Sequence, residues 1–95
     1  MAPATVAHHF ALSSLAEEIG HHIPAVLKIY ADQHGDFVSV WTVVEDFDRG
    51  VRNNVYEAEE HLMRDHPDTR FDFHVVKYEG QLDIFPSATT AYSRY

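Results

Sequence analysis

Two polar residues in the C-terminal half of the chain have a spacing that could support acid–base chemistry. Asp72 and His74 stand two positions apart in FDFHVVKY, which reads as a β-strand. Alternate residues of a strand share one face, so the Cα atoms of this pair would lie about 7 Å apart. A carboxylate that orients an imidazole is a general-base arrangement. Because Val76 and Tyr78 follow on the same face, a structural or interface role for the pair is preferred.

Two other spacings resemble those of metal ligands. Glu57 and His61 are four residues apart, which suits two ligands of one ion and equally an ordinary exposed pair on a helix. Asp46 and Asp48 stand where a predicted helix begins and needs a side-chain cap. We therefore expect one of these aspartates to cap the helix, and the sequence assigns no metal ligand and no cofactor.

The composition excludes several classes of chemistry. The 95 residues include no cysteine, which excludes a disulfide scaffold, a thiol nucleophile and a zinc–thiolate site, and which fits a cytoplasmic protein. The formal charge is -8 and only seven Lys and Arg residues are scattered along the chain, so nucleic acid and anionic membranes are poor partners. No apolar run approaches the ~20 residues of a membrane span. Eight histidines keep a histidine-based metal binder as an alternative function.

The hydrophobic pattern predicts a single α+β domain over residues 1–95, with irregular segments at 1–4 and 80–88. The element order is α-β-β-α-β with a last edge strand, and both helices would cover one face of a small mixed sheet. The predicted bounds are a first helix within 5–22, strands at 25–31 and 37–44, a second helix after the Asp46–Asp48 turn, and strands at 71–78 and 89–95.

Each predicted helix has one apolar stripe. In the second helix the buried stripe is Val51, Val55, Ala58 and Leu62, and Glu59 is expected to face water with its polar neighbours. In the first helix, Ser14 with Glu17 forms a candidate capping box. Both helices can therefore pack on the same side of the sheet and leave the other side without a cover.

The strand at 37–44 is apolar on both faces, which is typical of a central strand. Phe37, Trp41 and Val43 share one face, and an uncovered face with such large apolar groups usually contacts a partner. We therefore expect a homodimer, or a protein partner, that binds through this face. The predicted interface residues are Phe37, Trp41, Val43, Val76 and Tyr78.

The order of elements and several short stretches resemble a known enzyme family. A helix, a strand with VLKIYA, a strand with VVEDFD, a second helix and a strand with FDFHVV follow one another over residues 14–78. This arrangement is similar to that of polymerase-β-type nucleotidyltransferases, and most of all to the small, single-domain kind called minimal nucleotidyltransferases. The resemblance implies a nucleotidyltransferase-like fold.

The family's functional motifs are missing from this chain. The Gly-Ser loop that holds the nucleotide phosphates is replaced by residues 31–35, which read ADQHG. The resemblance implies two metal-binding aspartates at the positions of Phe37 and Ser39, and neither residue can replace a carboxylate toward Mg²⁺. Asp72 alone matches a family carboxylate. We therefore predict a small non-catalytic interaction or regulatory protein; the alternatives are an enzyme or ligand-binding protein that uses Asp72 and His74, and the histidine-based metal binder.

Overall fold

The computed structural model describes residues 10–80 and 87–94, in which two helical segments pack on one face of a four-stranded mixed sheet. A short helix α1 (Ser13–Leu15) continues as a π-helical segment (Ala16–Gly20), and α2 (Arg49–Asp65) connects the second strand to the third. The strands are β1 (Val26–His34), β2 (Phe37–Val44), β3 (Arg70–Lys77) and β4 (Thr89–Ser93). The predicted α+β class and element order are confirmed. The irregular segments predicted at 1–4 and 80–88 lie mostly outside the described residues.

The sheet order β3-β2-β1-β4 places the two hairpin strands at its centre. β1 and β2 are antiparallel and turn at Gly35, whose φ of 64° is a conformation that glycine adopts without a steric penalty. β2 and β3 are parallel, and α2 supplies the crossover that parallel neighbours need. The topology therefore sets Asp72 and His74 of β3 beside the central strand β2.

The core lies between the helical segments and one face of the sheet. Its side chains come from β1, β2, α1, the π-helical segment and α2, and burial of each large one contributes about 1.5–3 kcal/mol. Those no more than 1% exposed include Leu15, Ile19, Ile29, Val38, Val40, Val44, Val55 and Leu62. Because β2 buries its even-numbered residues here, its odd-numbered side chains point away from the helices.

The first helix differs from the regular, capped helix that the sequence suggests. No side chain caps α1, and after Leu15 the backbone widens into a π turn, in which the N–H of His21 donates to the carbonyl of Ala16 at 2.8 Å. Gly20 ends this turn against β4. A Cβ atom on Gly20 would lie only 2.6 Å from the ring of Tyr92, so this close approach depends on glycine.

The second helix follows the prediction except at one residue. Asp48 is the cap, and its Oδ1 accepts from the N–H of Val51 at 2.9 Å. Val55, Ala58 and Leu62 are buried as predicted, but the expectation that Glu59 faces water is wrong, since it is only 7% exposed. Positions 55, 58, 59 and 62 form one helical stripe. The position of Glu59 in that stripe, and not its polarity, decides its burial.

Substitution of the cap should destabilise the protein measurably. We expect Asp48→Ala to lower the free energy of unfolding by about 1 kcal/mol, because the Val51 N–H loses its acceptor. Asp46→Ala is the matched control, since Oδ1 of Asp46 accepts from the N–H of the adjacent Phe47 at 2.9 Å, which lies before α2. Urea unfolding of both variants measures the difference. Equal losses would contradict the assignment of Asp48 as the cap.

Candidate functional site

Asp72 and His74, the candidate acid–base pair, lie on the sheet face turned away from the described helices, here called the distal face. The strand register places Ser39 of β2 between Asp32 of β1 and Asp72 of β3. It likewise places Trp41 between Tyr30 and His74. The distal face is made of Lys28, Tyr30, Asp32 and His34 of β1, Phe37, Ser39, Trp41 and Val43 of β2, and Arg70, Asp72, His74 and Val76 of β3.

Asp72 and His74 form a hydrogen-bonded pair, as their predicted position on one strand face allows. The Nε2–H of His74 donates to Oδ2 of Asp72 at 2.9 Å. The indole of Trp41 stacks on the imidazole, with ring centroids 5.7 Å apart and an interplanar angle of 13°. The side chains of His74 and Asp72 are 43% and 50% exposed, so the pair contributes only about 0–1 kcal/mol to stability. Its main effect is to fix the orientation of the imidazole.

A second pair of the same kind lies on β1. The Nε2–H of His34 donates to Oδ2 of Asp32 at 3.1 Å. Sequence reasoning missed this pair because it ended the first strand at residue 31, whereas β1 continues to His34. The available signal was the spacing Asp-x-His, which is the same in DQH and in DFH. The distal face therefore presents an oriented imidazole on each side of β2.

The five predicted interface residues differ in accessibility. Phe37, Trp41 and Val76 are half-buried, and Tyr78, which follows β3, is 38% exposed. Val43 is 0% exposed within the chain itself. The other four residues therefore retain accessible surface that a partner could contact, whereas Val43 has none.

The distal face is electrically balanced although the chain is strongly acidic. The residues of β1, β2 and β3 on this face include two acidic and two basic ones, whereas the whole sequence has 15 acidic and seven basic residues. The four charged residues are Lys28, Asp32, Arg70 and Asp72. Both cations lie near aromatic rings: Nζ of Lys28 is 5.0 Å from the Tyr30 centroid, and the guanidinium of Arg70 is 5.8 Å from that of Phe37.

Glu59 is a buried acid outside the distal face. Within the described chain its Oε2 has no hydrogen-bond partner. Burial raises the pKa of the Glu59 carboxyl from 4.5 to about 7, and the charge of His74 acts in the opposite direction. Since the carboxyl has no cationic partner close enough to offset its desolvation, it is protonated in the folded protein under mildly acidic conditions.

Glu57 and His61, the helix pair considered as metal ligands, line a cleft between the end of the π-helical segment and α2. The cleft has a volume of about 300 Å³ and is lined by Glu18, His22, Ile23, Asn54, Glu57, Ala58 and His61. Sequence reasoning did not foresee that Glu18 and His22 would join the first pair. In residues 10–80 and 87–94, no three His, Cys, Asp or Glu side chains are grouped closely enough to hold one metal ion.

Comparisons of the chain with models of protein families, with curated proteins and with solved structures found no match. Among the described residues, no helix is long and apolar enough to cross a membrane. The function must therefore be inferred from the distal face and from the cleft themselves.

Proposed function

We propose that this chain is a non-catalytic binding protein on a nucleotidyltransferase-like scaffold, and that it pairs with a second copy of itself through the distal face. One observation carries the proposal. The face that should hold the catalytic carboxylates of such a scaffold instead presents aromatic groups and a balanced set of charges.

The residues of the distal face argue against nucleotidyl transfer. Ser39 lies beside Asp72 in the register of β2 and β3, so the position that needs a carboxylate is adjacent to the one that has it. Asp32 lies on the other side of Ser39, and two strand spacings put its Cα about 10 Å from that of Asp72. Two-metal catalysis requires shared carboxylates around ions about 4 Å apart. Each aspartate instead accepts a hydrogen bond from a histidine on its own strand.

The charge distribution favours a second copy as the partner. Two chains of formal charge -8 repel each other, and the two cations and two anions of the distal face add no net charge to this repulsion. Trp41 and Phe37 supply the aromatic anchors that interfaces favour. Eight-residue strands about 4.8 Å apart give a face of roughly 15 by 25 Å, which belongs to the small class of interfaces. We therefore expect a dissociation constant in the micromolar range.

Removal of the central aromatic group should weaken this dimer. We expect Trp41→Ala to raise the dissociation constant at least about tenfold, because central aromatic residues commonly dominate binding energy. Tyr56→Ala is the control, since Tyr56 is 48% exposed but lies on α2. Sedimentation equilibrium of the wild type and both variants measures the constants. A monomeric wild type at high micromolar concentration, or equal effects of the two substitutions, would contradict the proposal.

A second candidate function rests on the Asp72–His74 hydrogen bond of 2.9 Å. A carboxylate that fixes an imidazole is suited to general-base catalysis, and His74 remains partly exposed. Transfer and hydrolysis assays with nucleoside triphosphates and Mg²⁺ separate the two candidates. Turnover by the wild type that is lost in His74→Ala would favour an enzyme over a binding protein.

A further inference from the structure

We propose that the cleft between the π-helical segment and α2 binds an alkylammonium group, the chemistry shared by free diamines and lysine side chains. The cleft lies on the helical side of the molecule, apart from the distal face. The inference is therefore independent of the proposed pairing.

The polar lining of the cleft selects for a cation. Glu18 comes from the π-helical segment and Glu57 from α2, so the ligand site has a carboxylate on each of two elements. No Lys or Arg is among the lining residues. Glu18, Asn54 and Glu57 make no side-chain hydrogen bond or ion pair to any other residue in the described parts of the chain. Their acceptor oxygens are therefore available to an ammonium group, and hydrogen bonds between charged groups are the strong ones.

The apolar lining selects for an alkyl chain attached to that cation. Ile23 and Ala58 line the cleft and are only 4% and 8% exposed, so they form its floor. His22, which is exposed, and His61, which is half-buried, also line the cleft. A methylene chain can lie along such a floor while its charged end reaches the carboxylates, as lysine side chains do at protein surfaces.

The dimensions of the cleft suit an organic cation better than a metal ion. A volume of about 300 Å³ is at the lower end of the range for small-molecule sites. A metal ion needs three or more ligands within about 2.0–2.6 Å of one point. No such grouping of His, Cys, Asp or Glu exists in the described residues. Glu18 of the lining belongs to the π-helical segment, and π turns often occur at functional sites.

Calorimetric titration with 1,5-diaminopentane tests the inference. We expect saturable binding to the wild type, and an affinity about tenfold lower for Glu18→Gln and for Glu57→Gln, because each substitution keeps the shape of the side chain but removes its charge. The matched controls are Glu17→Gln and Glu60→Gln, which remove the same charge from exposed neighbours outside the cleft. 1,5-Pentanediol, which has the same length but no charge, should not bind.

The other outcomes are equally decisive. Binding of a blocked lysine as tight as that of the diamine would support the alkylammonium site and assign it to a lysine side chain of a partner protein. Weaker binding of the blocked lysine would support it and assign it to a free diamine. No binding of either compound, or equal losses in the cleft variants and in the controls, would overturn the inference. Far-UV circular dichroism of each variant verifies that it is folded.

Discussion

Glu59→Gln is expected to stabilise the protein by roughly 3 kcal/mol under mildly alkaline conditions. Burial raises the pKa of the Glu59 carboxyl from 4.5 to about 7, and each unit of such a shift corresponds to about 1.4 kcal/mol. Because the folded protein binds this proton more tightly than the unfolded chain, wild-type stability should fall as the pH rises from 4.5 through about 7 and then level off. The neutral amide removes this loss.

Urea unfolding of the wild type and Glu59→Gln at several pH values between about 5 and 8 measures the effect. Contributions from histidines other than His74, whose charge acts on the Glu59 carboxyl, are common to both proteins and cancel in the difference. Glu60→Gln is the matched control, because Glu60 is the exposed neighbour of Glu59 on α2 and its substitution removes the same formal charge. If both variants show the pH dependence of the wild type, burial of Glu59 does not cause that dependence.

Gly20→Ala should destabilise the protein by about 1–3 kcal/mol, the usual cost of overpacking. The new Cβ atom would lie 2.6 Å from the ring of Tyr92, and an aromatic ring cannot yield as a flexible side chain does. The steric clash would occur at the contact between Gly20 of the π-helical segment and Tyr92 of β4. The substitution therefore tests whether these two elements approach each other as closely as the structure indicates.

Thermal or urea unfolding measures this effect. Two further variants test whether the loss of stability comes from the contact with Tyr92. Gly50→Ala is the control, since its Cβ would meet only Oδ1 of Asp48 at 3.4 Å, and alanine favours a helix by up to about 1 kcal/mol over glycine. In a Tyr92→Ala background, Gly20→Ala should cost little because the obstructing ring is gone. A harmless Gly20→Ala in the wild type would contradict the close packing.

Sequence periodicity was sufficient for most of the fold. The apolar residues on both faces of FVSVWTVV predicted a central strand, and the structure buries its even-numbered face under the helices. The stripe of Val55, Ala58 and Leu62 placed α2 correctly, and Asp48 was one of the two expected caps. These features are local, since each depends on residues close together in the chain, and local patterns are what a single sequence records best.

The errors arose where distant residues decide the outcome. Gly20, which ends the π turn at Ala16–Gly20, packs against the ring of Tyr92, 72 positions away in the chain. Glu59 was assigned to the solvent by its charge, although its helical position puts it in the buried stripe. The pair Asp32–His34 was hidden because the end of β1 is fixed by pairing with Phe37 across the hairpin. The contact of Gly20 with Tyr92 and the pairing of His34 with Phe37 leave no periodic signal in the sequence, whereas the burial of Glu59 follows from its helical spacing.

For the candidate sites too, contacts within one element were predictable from the sequence, and contacts between elements were not. Asp72 and His74 share a face because successive side chains of a strand point to opposite faces, so the spacing of two residues predicts this directly. Their neighbours Ser39 and Trp41 are set by the register between β2 and β3, which only the folded chain reveals. The cleft joins Glu57 and His61 to Glu18 and His22 across two helical segments, and no spacing in the sequence indicates that contact.

The fluorescence of the single tryptophan tests the central claim most directly, because Trp41 lies on the distal face between Tyr30 and His74. Its emission is recorded as a function of protein concentration at constant pH. If two copies pair through this face, emission should shift to shorter wavelength as the concentration rises through the micromolar range, since pairing removes the indole from water. An emission maximum that stays constant from dilute to concentrated protein would contradict pairing through the distal face.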